Sequence, residues 1–119
     1  MNRKTRQLVY DKFNGHCAYC GCELELKDMQ VDHIKPLCRG YSIQLLSRIG
    51  KDEMDNYNPS CRACNFRKGM LTIDEFRAEL QKGVERLEKD FTFRMMVKYN
   101  QIKENVSPIT FYFEGLNDG

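Results

Sequence analysis

The chain has 119 residues, 41% of them hydrophobic and 30% charged, with a net charge of +2. That length holds one domain with a modest core, and no apolar run approaches the roughly 18–20 residues of a membrane helix. The polar start MNRKTRQLVYDKF lacks the apolar stretch of a signal peptide, so an intracellular setting is expected, where the six cysteines are a metal question and not a disulfide framework.

Charge is unevenly spread. Residues 1–70 carry 12 Lys/Arg against 8 Asp/Glu, and residues 71–119 carry 7 against 9, so the cysteine-bearing half is net +4 and the other net −2. A basic half is what a phosphate-facing surface requires.

In chain order, RKTRQLVYDKF predicts a first helix with Leu8, Val9 and Phe13 inward and Asn14-Gly15 closing it. Arg3, Lys4 and Arg6 fall on its outer side as candidates for nucleic-acid contact, the alternative for each being a solvated face. CAYCGC then forms a tight knuckle, and residues 23–34 read as short strands, the second covering 29–34. A long connection follows over 36–58, with one apolar patch (Ile43, Leu45, Leu46, Ile49) that suits a helical turn; long loops in small domains are often functional. CRACNFRKGM is a second knuckle leading into a helix that stops near Gly69. Thr72 and Glu75 form a capping box, and Phe76, Leu80, Val84 and Leu87 repeat at helical spacing beyond it. A further helix is expected over 91–100, its aromatic and methionine side chains packing in the core. The tail PITFYFEG alternates Ile109, Phe111 and Phe113 against polar neighbours, which predicts a half-buried strand.

Cys17 and Cys20 make one C-x-x-C, and Cys61 and Cys64 a second. Two thiolates from each knuckle close a tetrahedral shell, so the metal expected there is zinc in a structural role, with no open position for chemistry. Cys22 and Cys38 are left over as spare thiols, and His16 is read as exposed at the knuckle. A frame that brings the knuckles together also brings Asp32 and His33 toward the segment DNYNPSC and toward Asn65. A carboxylate and an amide oxygen are hard ligands for one Mg²⁺ or Mn²⁺, and a neutral imidazole beside that ion can take a proton from water. The combination suits phosphodiester hydrolysis.

CAYC, VDHIKPL and DNYNPSCRACNFRKG, in that order over residues 13–70, resemble the HNH endonuclease family, small bacterial or phage members in particular. The resemblance implies an α+β fold: a zinc-stabilised ββα-metal core with an N-terminal helix and a helical C-terminal extension. It implies that His33 is the general base, that Asp32 and Asn65 ligate the catalytic divalent ion, and that Asn56 ties the loop and orients the histidine. Asn58 competes with Asn56 for that last role. Asn65 stands where the family often has histidine, and its amide oxygen, weaker and harder than an imidazole, favours Mg²⁺ or Mn²⁺. Arg62, Arg67 and Lys68 are candidates for phosphate contact, with a solvated face as the alternative.

The expectation is therefore a core over 1–70 and a helical extension over 71–119 ending in a short strand, packed together as one unit. The expected activity is hydrolysis of double-stranded DNA to 5′-phosphate and 3′-hydroxyl ends in the cytoplasm of a bacterial or phage-infected cell. The alternatives are a non-catalytic zinc-ribbon nucleic-acid-binding module and an RNA-directed nuclease on the same fold. Oligomeric state stays open.

Overall fold

The computed structural model describes residues 1–37 and 50–116. Its centre is a two-stranded antiparallel sheet, β1 (Gln30–His33) and β2 (Tyr57–Ser60), followed at once by helix α2 (Arg62–Lys68). The register pairs Gln30 with Ser60, Val31 with Pro59, Asp32 with Asn58 and His33 with Tyr57. This is the ββα core expected from the sequence, but with a different first partner for β1. Residues 23–28 form no strand: Leu26–Asp28 is a 3-10 turn, and pairing there is limited to a bridge between His16 and Glu23. The partner is instead the stretch just ahead of the second knuckle. Ala18 N donates to Pro59 O at 2.8 Å, so the first knuckle holds β2 from its other side.

Helix α1 (Arg3–Asp11) is capped by Asn2, whose side chain accepts from Thr5 N. Val9 is fully buried and Phe13 half-buried, whereas Leu8, expected inward, is half exposed. Val9 packs with Met29 and Tyr57 in a small core under the sheet. A second core gathers Cys17, Ala18, Tyr19, Phe76 and Phe111.

Helix α3 (Ile73–Gln81) starts with the capping box of Thr72 and Glu75, and its Phe76 is 1% exposed. The apolar repeat does not continue as one helix: the chain turns at Lys82 into α4 (Gly83–Leu87), and Leu87 is half exposed. Helix α5 (Phe91–Lys98) buries none of its residues, and Phe91 is largely exposed, which corrects the expectation that its aromatic and methionine side chains pack in the core.

The tail is also corrected. In place of a strand it is extended up to Phe111 and then makes one helical turn, α6 (Tyr112–Gly115). Ile109, Phe111 and Phe113 do face the core, as their alternation implies. Their backbone groups pair with the first knuckle and not with a strand: Tyr112 N donates to Tyr19 O and Phe113 N to Ala18 O, at 3.0 and 2.9 Å. The helical turn expected over Ile43, Leu45, Leu46 and Ile49, and Cys38, lie outside the described residues. Among those described, no helix is long and apolar enough to cross a membrane.

Candidate active site and metal centre

The sulfurs of Cys17, Cys20, Cys61 and Cys64 lie within 4.8 Å of one another, brought together by the first knuckle and the N-terminus of α2. Cys20 and Cys61 sulfurs are 3.8 Å apart. A tetrahedron with zinc–sulfur bonds of about 2.3 Å has edges near 3.8 Å, the Cys20–Cys61 spacing, so this donor set is compatible with zinc. Burial pushes the Cys17 thiol up, but backbone hydrogen bonds at Cys61, Cys20 and Tyr19 outweigh it and bring the group down to about 7, favouring the thiolate that a metal needs. Cys22 stands beside the cluster but outside it; local desolvation and its hydrogen bond to Cys20 push it up to about 12. His16 is half-buried, with Nδ1 at 3.1 Å from Phe13 O and its ring stacked on Tyr112, so it caps the knuckle and stays out of the metal shell.

Across the sheet, β1 delivers Asp32 and His33 to the rim of an open cleft of about 370 Å³. Asn65, one helical position past the last cysteine of the cluster, lines the same cleft, with Pro36, Leu37 and Met70. His33 Nε2 is 3.0 Å from Asp52 Oδ1, and the ring meets Tyr57 edge-on at 5.3 Å. A carboxylate only accepts, so Nε2 carries the proton in that bond and Nδ1 is the basic nitrogen. Tyr57 OH donates to the same Asp52 oxygen at 2.6 Å, holding the carboxylate in register with the ring.

Asn56 sits in a 3-10 turn ahead of β2 and spends its amide on the chain around it. Its Oδ1 accepts from Lys35 N at 2.8 Å, and its Nδ2 donates to Lys35 O and Lys51 O at 2.9 and 2.8 Å. These bonds join the chain leaving His33 to the chain returning toward β2. Asn58, the competing asparagine, is buried opposite Asp32 and donates to Tyr19 OH at 3.3 Å.

Residues 17–70 match the family model of the HNH endonuclease. Residues 17–70 form an HNH-like core. Among solved structures, the crystal structure of the Type II-C Cas9 enzyme from Actinomyces naeslundii is similar, with a TM-score of 0.52 and 21% identity over 64% of this chain and 8% of that one. At that identity the likeness concerns the fold, and the match spans a small part of the Cas9 chain. No curated protein matches this chain.

The side chains of this HNH-like core divide into those that line the cleft and those that build it. Asp32, 3% exposed, belongs to both. Tyr19 OH donates to its Oδ2, and Lys68 Nζ donates to its Oδ1 at 3.2 Å and to His33 O at 2.8 Å. Burial pushes the Asp32 carboxyl above its ordinary value, while Lys68 and Tyr19 pull it back. Burial and the Asp32 charge push the Tyr19 phenol far above its usual range, so it stays a donor.

Lys68 is thus a correction. It is fully buried and faces the carboxylate, so it does not contact phosphate. Arg6 is a second correction: its guanidinium donates to Leu26 O and Met29 O, at 2.8 and 3.0 Å, and holds the 3-10 turn instead of facing outward. Arg3, Lys4, Arg62 and Arg67 are exposed. Sequence reasoning did not find Asp52 or Tyr19. Asp52 lies in the long loop with no spacing rule to single it out, and Tyr19 sits inside the knuckle where only the cysteines carry a pattern.

Proposed function

We propose that this protein is a metal-dependent endonuclease that hydrolyses phosphodiester bonds of double-stranded DNA. The observation that carries the reading is the shared cleft, onto which Asp32 and His33 open from β1 and Asn65 from α2, while Asn56 ties the chain just after His33. His33 is the general base. Its Nε2–H is held by Asp52, and Nδ1 takes a proton from water, whose hydroxide attacks phosphorus; the departing 3′ oxygen takes its proton from solvent. Asp52 acts through the imidazole and is a positioning residue.

Asp32 and Asn65 are the residues to hold a divalent ion, Mg²⁺ or Mn²⁺. The donor set fits: a carboxylate has about four lone-pair sites, and Lys68 and Tyr19 occupy two of those on Asp32. An ion there supplies charge neutralisation for the phosphate and the leaving oxygen. The four-cysteine zinc frame does no chemistry and fixes β2 and α2 against the first knuckle. Arg3, Lys4, Arg62 and Arg67 are the residues to contact phosphate, and such contacts make affinity fall with salt.

The test is cleavage of supercoiled plasmid by zinc-loaded protein with Mg²⁺, Mn²⁺ or chelator, for wild type and His33→Ala. Metal-dependent nicking is expected, with a loss of at least about 10²-fold in the variant at unchanged zinc content. Full activity in His33→Ala rejects the base assignment. Binding of DNA without cleavage under either metal supports the binding-module alternative, and cleavage confined to an RNA substrate moves the specificity to RNA.

A further inference from the structure

The HNH core buries a lysine completely and places it directly against the carboxylate that faces the cleft. Isolated burial of an ammonium group is costly, so the position requires a specific partner, and Asp32 is that partner. The rest of the cluster is complete: Tyr19 bonds the second carboxylate oxygen, Asn58 bonds Tyr19, and among the described residues no buried side-chain polar atom lacks a partner.

The spacing on α2 explains the placement. Asn65 and Lys68 are three residues apart and share a face of the helix. Asn65 reaches the cleft, while Lys68 at the last turn passes behind β1 and meets Asp32 and His33 O from the protein side. Asp32 therefore lies between the buried Lys68 ammonium and an open cleft. A cation entering the cleft meets a carboxylate whose charge is already balanced, and at an effective dielectric of about 20 that balance weakens its hold substantially.

We infer that Lys68 is a built-in counter-cation of Asp32: it holds the carboxylate in place before any divalent ion arrives, and it weakens the site's grip on that ion until a substrate phosphate adds negative charge. The inference rests on the reading of Asp32 as an ion ligand. It makes Lys68 a positioning residue, since it reaches neither substrate nor cleft. It also implies that ion and nucleic acid bind with positive cooperativity, each supplying charge that the other needs.

The measurement is Mn²⁺ binding to the full zinc-loaded chain without nucleic acid, followed by electron paramagnetic resonance. Wild type, Lys68→Met, Asp32→Asn and the double variant are compared. Lys68→Met is expected to bind Mn²⁺ at least about tenfold more tightly than wild type, and Asp32→Asn to abolish the site in either background. Equal or weaker binding by Lys68→Met, with Asp32→Asn still abolishing it, overturns the counter-cation role and leaves the ligand role of Asp32 standing. Binding unaffected by Asp32→Asn overturns the ligand role itself. Should Lys68→Met fail to fold, the double variant decides: it removes the uncompensated charge and is expected to recover zinc content and cooperative melting. Failure of the double variant to recover overturns the pairing.

Discussion

At Gly50, an added β-carbon would lie 2.0 Å from Lys35 O and 2.5 Å from Asn56 Nδ2, well inside contact distance. Gly50 N also donates to Pro36 O at 2.8 Å, so the backbone is drawn against the chain that leaves β1. The glycine is there for closeness. The obstacle is backbone, not the tip of a flexible side chain, so an added methyl must push the two segments apart. The Asn56 amide bridges those same segments at Lys35 and Lys51, and His33 stands two residues before Lys35. Gly50→Ala should therefore displace His33, the proposed base, without touching the four-cysteine cluster. Overpacking of this kind costs roughly 1–3 kcal/mol locally. The expected result is at least a tenfold fall in plasmid cleavage with zinc stoichiometry retained, and wild-type activity would show that the loop does not position His33.

Among the elements, the C-terminal turn α6 adds one ion pair to its backbone and core contacts. Arg77 on α3 makes a two-point contact with Glu114, at 2.6 and 2.8 Å, and its guanidinium lies 5.1 Å from the centre of the Phe111 ring. Glu114 also accepts from Phe111 N at 2.9 Å, closing the first turn of α6. The hydrogen bond to Arg77 holds the Glu114 carboxyl below its ordinary value. A depressed carboxyl stabilises the fold above its unfolded value, and that contribution is lost as pH falls through the folded one. Glu114→Gln is thus expected to lower stability by about 1 kcal/mol at pH 7, read from urea midpoints, and the difference from wild type should shrink as pH drops below about 4. A difference independent of pH would mean that the charge of Glu114 is not what docks the turn.

The same elements show what the sequence made legible. The Thr72 capping box, the two knuckles and β1 could be read because each rests on local rules: side-chain capping, ligand spacing, period-two alternation. At the tail, alternation correctly identified Phe111 as core, but alternation says nothing about where backbone hydrogen bonds end. They end on the carbonyls of Ala18 and Tyr19, about ninety residues away in sequence, a pairing with no local signature. That Asp32 and His33 come together at one cleft was legible through the frame around them, whereas the burial of Lys68 was not. On a helix written RACNFRK, Arg67 and Lys68 look alike, and only the tertiary placement of Asp32 sends one outward and the other inward.

For the whole molecule, the decisive quantity is how little apolar core the described residues make. Among them the buried hydrophobic residues are Val9, Cys17, Ala18, Tyr19, Met29, Tyr57, Phe76 and Phe111, split between two small clusters. The radius of gyration, 16.9 Å, exceeds the roughly 13.5 Å of a compact chain of this length, in keeping with helices α4 and α5 that bury no side chain. Metal binding in finger peptides is worth about 10–16 kcal/mol, as much as the entire stability of an ordinary domain. Both clusters meet segments that the four cysteines join: Cys17 lies within one, and Tyr57 of the other is four residues before Cys61. Removing zinc should therefore unfold the core as a unit and not merely inactivate it. Titration with a strong chelator is expected to release one zinc per chain, with helical circular dichroism and nuclease activity falling together. Excess Mg²⁺ should restore neither, since a hard ion does not replace zinc on thiolates, and added zinc should restore both. A zinc-free chain that kept its circular dichroism and melted cooperatively at an unchanged temperature would show that the two clusters suffice without the frame.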